Sequence, residues 1–197
     1  MNYSEAKTYI ITRLRAELDP RLTYHGVHHT LDVLNVTEQL ARECNVSERE
    51  TVLLKTAALF HDSGFLTTRV EHEAAGCDLV REVLPRFAYT GRQIEQICGM
   101  IMATKIPQNP QNYLEDILAD ADLDYLGRDD FYVIGDTLFD ELKTFGVIET
   151  EEQWNRIQIG FLKGHGFFTA YNRQHRQPKK LRHLAEIEKI VAGYEAI

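Results

Sequence analysis

Cysteine is scarce in this chain. Cys44, Cys77 and Cys98 are the whole supply, odd in number, far apart and each inside a stretch patterned like a helix. That usage excludes a disulfide framework and a cysteine-rich zinc knot, and the expectation is three buried free thiols. Long apolar runs are missing too. No segment approaches membrane-spanning length, and the opening MNYSEAKTYIITRLRAEL lacks the uninterrupted apolar core of a signal peptide, so a cytoplasmic protein without a membrane partner is expected. Positive charge is in deficit, with 22 Lys and Arg against 30 Asp and Glu and a net charge of −8. The basic residues are spread along the chain, which gives no uniform face for duplex nucleic acid or anionic lipid. Alternating strand-like patterns, internal repeats and low-complexity segments are also lacking.

What is present is helical periodicity almost throughout. At 197 residues, 44% hydrophobic and 26% charged, the chain has the size and composition of one domain able to bury a core. Apolar spacing predicts an all-α bundle, in a single domain over residues 1–197, with helices near 3–18, 29–43, 47–61, 71–84, 91–104, 112–126, 129–145, 150–163 and 168–194. Pro20 stops the first helix, Ser47 with Glu50 reads as a capping pair, and Pro107 and Pro110 make KIPQNPQN a loop. TVLLKTAALFHD, residues 51–62, is apolar on nearly all sides and belongs at the centre of the bundle.

Polar residues then collect on inward faces. His61 shares a face with Leu53, Ala57 and Phe60, and Asp62 lies about 100° further round, so the pair ends a buried helix and needs partners. YHGVHHT, residues 24–30, holds three histidines, of which His29 falls on a stripe with Val33, Val36 and Leu40. In NYLEDILADADLDYLG the stripe is Leu114, Ile117, Leu118, Ala121 and Tyr125, with Asp122 and Asp124 on its two borders and Asp120 turned toward solvent. Three helices can therefore deliver His29, His61 with Asp62, and either Asp122 or Asp124 to one depth. Two imidazoles and two carboxylates suit a divalent metal with positions left for water and substrate. A hydrogen-bonded cluster that merely ties helices together uses the same residue types.

These residues resemble the HD-domain metal-dependent phosphohydrolases, whose signature is a histidine, a later His-Asp pair and a later aspartate. YHGVHHTLDV looks like the family's Tyr-His-x-x-x-His-Thr start to a helix, ALFHDSG like its His-Asp turn and DADLDYLG like its final aspartate. The match covers roughly residues 24–126 and selects Asp122 over Asp124. It implies a metal held by His29, His61, Asp62 and Asp122, and hydrolysis at phosphorus by attack of metal-bound hydroxide on a nucleotide or another small phosphomonoester or phosphodiester. Asp62 or Asp122 would orient or deprotonate the attacking water. The Tyr-His start is shared with cyclic-nucleotide phosphodiesterases and implies that His25 protonates the leaving oxygen, with a loop or capping histidine as the structural alternative. His28, on another face, is expected to be exposed.

His72 aligns with Ala75, Leu79 and Val83 and could face the site, where some family members place a ligand to a second metal. Those members add histidines on the next helix, whereas this chain reads MIMATK at residues 100–105, so one divalent ion is expected, which ligand type does not narrow among manganese, iron, nickel, zinc and magnesium. The same departure argues against the di-iron oxygenases of the superfamily. A Gly-Tyr-Pro motif, the mark of cyclic-di-GMP enzymes, is absent, and SGFLTT lacks the acidic residues of the ppGpp hydrolases. Lys105, at a helix end before the proline loop, could clamp a phosphate, although lysine also suits a helix C-terminus without substrate. Arg69 is a candidate of the same kind. His165, Tyr171 and Arg173 sit in an aromatic, basic stretch whose rings are expected in the core. The competing function is a catalytically silent regulatory module of HD type that binds a nucleotide or a protein partner, and a third is a helical adaptor that binds no metal. A homo-oligomer is compatible with all three.

Overall fold

The computed structural model describes residues 1–194. Ten α-helices follow one another: α1 (Tyr3–Glu17), α2 (Val27–Glu43), α3 (Glu48–Phe60), α4 (His72–Val83), α5 (Gly91–Thr104), α6 (Tyr113–Asp122), α7 (Phe131–Thr144), α8 (Glu151–Gly164), α9 (Ala170–His175) and α10 (Gln177–Tyr194). Short 3-10 turns occupy Ser63–Leu66, Leu84–Phe87 and Asp124–Gly127. No strand occurs among the described residues, so the fold is the all-α bundle that the periodicity predicts. No helix is long and apolar enough to cross a membrane.

Side chains that satisfy the orphan amides of the first turn set several helix starts. Ser47 accepts from the Glu50 amide at 3.3 Å, Thr90 and Gln93 form a reciprocal capping box at α5, and Thr150 with Gln153 does the same at α8. Two expected helices are divided. The 112–126 stretch ends at Asp122, because Leu123 leaves helical geometry (φ −108°, ψ 16°) before the next 3-10 turn. The 168–194 stretch breaks at Arg176, since Pro178 has no amide to continue an incoming helix yet fits the first turn of a new one. Helix α2 begins at Val27, two residues earlier than expected, with Gly26 as its cap.

The chain divides into two compact units, residues 1–122 and the residues from Leu123 onward. In the first, α3 packs against α1, α2, α5 and α6. Its Leu53, Leu54, Thr56, Ala57, Ala58, Leu59 and Phe60 are all buried. Each such Leu or Phe contributes about 1.5–3 kcal/mol, which fixes the end of α3 in the middle of the unit. Helix α6 lies against α2, α3 and α5 and is covered on more than one side: Ile117, Leu118, Ala119, Asp120 and Ala121 are buried in succession. Asp120 is thus 0% exposed rather than turned to solvent, because a one-stripe reading assumes burial from one direction. Of the three free thiols expected to be buried, Cys77 and Cys98 are, and only Cys44, half-buried at the end of α2, differs.

Two glycines lock the turn after His61 to the start of α4. A Cβ on Gly64 would lie 1.8 Å from the His72 carbonyl oxygen, and one on Gly76 would lie 3.3 Å from that of Phe60. Backbone meets backbone there, so any side chain at Gly64 would force the two segments apart.

In the second unit, α10 packs along α8, α9 and the 3-10 turn Asp124–Gly127. Asp124, 1% exposed, accepts from Arg176 Nε at 2.7 Å and Asn172 Nδ2 at 3.2 Å. Arg128 approaches Asp124 at 3.8 Å and grips Asp130 with two hydrogen bonds of 2.9 and 2.8 Å. Burial raises the Asp124 pKa, and the Arg176 hydrogen bond and charge only partly offset it. His165 belongs to this unit and meets Lys180, whose Nζ donates to the His165 carbonyl and lies 3.2 Å from its Nδ1. In the same stretch Phe167 is buried, Tyr171 packs on His175 with the rings tilted by 40°, and Arg173 donates to the Phe168 carbonyl at 2.6 Å.

Candidate metal centre

Three helices of the first unit bring four polar side chains together. His29 comes from the first turn of α2, His61 and Asp62 follow the last residue of α3, and Asp122 ends α6. His29 Nε2 lies 3.1 Å from Asp122 Oδ1, 3.3 Å from His61 Nε2 and 3.5 Å from Asp62 Oδ2. His61 Nε2 lies 3.1 Å from Asp62 Oδ2 and 3.5 Å from Asp122 Oδ1. The two imidazoles and Asp62 are buried, and Asp122 keeps 14% of its side chain exposed.

The residue chemistry fits a divalent cation. Donors about 2.1 Å from a metal at angles of roughly 90–109° stand about 3.0–3.4 Å from one another, close to the spacings found. His61 Nδ1 lies 2.8 Å from the Ala58 carbonyl oxygen, a contact only a donated proton makes favourable, so in the neutral ring Nε2 turns a lone pair toward the carboxylates. Asp62 Oδ2 is buried and faces the ring nitrogens of His61 at 3.1 Å and His29 at 3.5 Å. Such a gathering of acceptors is unfavourable without positive charge at its centre. His29, His61 and Asp122 each offer an atom within 4.8 Å of the others, as a shared ion requires.

Protonation follows the same logic in the ion-free chain. Burial alone would lower the His61 pKa, but the charge of Asp62 and the hydrogen bond to Asp122 raise it well above its ordinary value. Burial would raise Asp62, yet the His61 charge and the hydrogen bonds from His61 and His72 hold it well below the carboxylate range. Asp122 is treated the same way: burial is outweighed by hydrogen bonds from His29 and His61, and its pKa falls to about 2. A proton on His61 thus takes the place of a cation.

Around this core stand further candidates. His72 Nε2 lies 3.4 Å from Asp62 Oδ1 and 3.5 Å from Glu73 Oε1. The Phe65 ring stacks on both His72 (4.1 Å) and His25 (4.4 Å), and the His25 ring centre is 6.2 Å from that of His29. His28 is exposed, as expected. Lys105 is paired with exposed Glu71, immediately before His72. Asp124 takes no part in the cluster and instead binds Arg176. Glu73 and Phe65 had escaped the sequence reading. The buried stripe of α4 runs Glu73, Gly76, Cys77, Val80 and Val83, one position round from the stripe expected through His72. An acid on an inward face next to a histidine, in EHEAA, was the available signal.

A model of the HD domain matches residues 26–124, half of the chain, and the chain belongs to the HD-domain family. A crystal structure of a predicted HD superfamily hydrolase from an uncultured Thermotogales bacterium shares the fold, with a TM-score of 0.60 at 19% identity over 95% of this chain and 92% of that one. No curated protein matches the chain.

Proposed function

We propose that the protein is a metal-dependent phosphohydrolase acting on a small phosphate ester, with nucleotides as the first class to try. The observation that carries this reading is that His29, His61 and Asp122 offer ligand atoms all within 4.8 Å of one another, with Asp62 Oδ2 at 3.1 and 3.5 Å from the two imidazoles, in a buried setting. The likeness to one solved chain over 95% of the length supports treating the sequence as one HD-type domain. These four residues would hold one divalent ion; when bound, such an ion lowers the pKa of a coordinated water and offsets charge on phosphoryl oxygens.

The remaining work falls to the chain's own groups. Asp62 directs Oδ2 to the cluster and Oδ1 toward His72, so it can orient the attacking water and accept its proton. His72 steadies Asp62 from the far side, a metal-linked role without direct ligation of the first ion. His25, stacked on Phe65, is the acid for the leaving oxygen. Lys105 exchanges Glu71 for a substrate phosphate, a trade favoured by the exposure of that pair.

The test is elemental analysis of protein purified without added metal, followed by assays with bis-p-nitrophenyl phosphate and a panel of nucleotides. About one ion per chain and turnover abolished by Asp62→Ala are expected. Turnover that survives Asp62→Ala would assign the activity to another site. Bound ion without turnover of any ester would favour the regulatory module.

A further inference from the structure

Helices α4 and α5 run antiparallel inside the first unit, and three pairs across the seam mark the register. Arg81 Nε donates to Glu95 Oε1 at 3.0 Å near one end, and Lys105 bonds Glu71 at the other. Between them Cys77 faces Cys98, at 2% and 3% exposure. The Cys77 Sγ lies 3.5 Å from the Cys98 carbonyl oxygen, the Cys98 Sγ lies 3.7 Å from that of Cys77, and the thiols are within hydrogen-bonding reach of each other. Such reciprocal contact needs both side chains to point into the seam from closely spaced backbones, the arrangement a disulfide also needs. The third cysteine, Cys44, lies at the end of α2 and takes no part in that seam.

We propose that Cys77 and Cys98 are an oxidation site: a hydroperoxide converts this thiol pair to an intramolecular disulfide that bolts α4 to α5. The two thiols are disposed reciprocally and either can react first; with Cys98 as the attacking sulfur, the Arg81 charge favours its thiolate. Its thiolate attacks the distal oxygen of the hydroperoxide, the O–O bond breaks, and the alkoxide leaves as an alcohol with the proton that Cys98 gave up. The Cys77 sulfur then attacks the resulting sulfenic acid, the S–O bond breaks, and the expelled hydroxide takes the Cys77 proton to form water. Two electrons pass from the thiol pair to the peroxide, and nothing else is consumed. The bolt matters for its neighbours: His72 lies five residues before Cys77, and Lys105 seven after Cys98, so the crosslink would restrain both sides of the proposed site's rim.

The test uses the full folded chain with hydrogen peroxide or tert-butyl hydroperoxide, alkylation of remaining thiols, and peptide mapping without reductant. A linked Cys77–Cys98 peptide about 2 Da lighter than its separate parts is expected, removed by dithiothreitol, with Cys44 recovered alkylated. Cys44→Ser should form the link unchanged and Cys77→Ser should not. Amide exchange in α4 and α5 should slow on oxidation and the melting temperature should rise. A link that includes Cys44, sulfinic acid at either position in place of the link, or a link formed only after unfolding in urea would overturn the proposal. The readout is chemical and stands apart from whether the chain hydrolyses phosphate esters.

Discussion

Asp122 and Asp124 are two residues apart and belong to opposite kinds of polar cluster. In the first unit the carboxylates of Asp62 and Asp122 face the ring nitrogens of His29 and His61. In the second unit Asp124 faces the guanidinium groups of Arg176 and Arg128, and Arg128 is gripped in turn by Asp130. Arginine carries its charge permanently, so the second cluster has its cations as folded. Imidazole carries charge only when protonated and otherwise offers a lone pair, so the first cluster can hold a proton or, as proposed, a metal in its place. Burial is similar in the two places. The identity of the positive partner separates a brace from a receptor.

The largest expected effect comes from exchanging alanine for one aspartate in each cluster. Asp62→Ala should abolish bound ion and reduce hydrolysis by at least ~100-fold, as the proposed ligation requires, and should also destabilise the ion-free state above pH 3.8, where the carboxylate pairs with His61 and His72. Asp124→Ala should leave the ion in place and cost about 2–4 kcal/mol in denaturant melts, the range for breaking a buried pair, lessened because Arg176 is 21% exposed. Equal ion loss in the two variants would erase the distinction.

Glycine substitutions sharpen it. A Cβ on Gly127 would lie 2.4 Å from the Arg176 carbonyl oxygen, as one on Gly64 would crowd that of His72. Both Gly→Ala changes should destabilise by about 2–4 kcal/mol through backbone displacement. Only Gly64→Ala should also weaken ion binding, by displacing the turn that follows Asp62, measured by calorimetric titration.

The dependence on pH is smaller and has a definite sign. Asp62 and Asp122 titrate below the free value of 3.8 when folded, so their stabilisation is present above that pH and is lost as pH falls through the lower folded values. His61 titrates above 6.5, so its contribution is full below that pH and is lost as pH rises through the raised value. Ion-free protein should therefore melt highest between pH 3.8 and 6.5 as far as this cluster is concerned. Added divalent metal, which replaces the His61 proton, should lift the melting temperature most above that window. Melts with chelator and with metal across pH give the comparison, and identical alkaline limbs would contradict it.

The smallest effect is expected at Lys180 in the second unit, where burial lowers the pKa to about 8. Lys180→Met exchanges a desolvated amine and its bonds to His165 for an apolar chain of similar reach, and the change at neutral pH should stay within about 1 kcal/mol.

Much of this was legible in the sequence because the residues are written as local motifs with periodic apolar flanks. His29 sits on a stripe with Val33 and Leu40, and His61 and Asp62 follow a helix that is apolar and buried on nearly all sides, so helical phase carries them inward. Phase could not separate Asp122 from Asp124, since both border one stripe; the break at Leu123 does so, and a single residue leaving helical geometry has no periodic signature. Asp120 went wrong for a related reason: α6 is enclosed by several helices, and a hydrophobic stripe reports only its most apolar side. The single helix expected over 168–194 passed over Pro178, which marks the break between α9 and α10. Glu73 and the pairing of Cys77 with Cys98 depend on how α4 rotates against its neighbours, which one helix's sequence does not state.

The most direct measurement is anomalous diffraction from crystals of the protein loaded with manganese or zinc. A single strong peak about 2.0–2.3 Å from His29 Nε2, His61 Nε2, Asp62 Oδ2 and Asp122 Oδ1 is the predicted result. A metal-replete crystal with no peak among those four atoms would contradict the account.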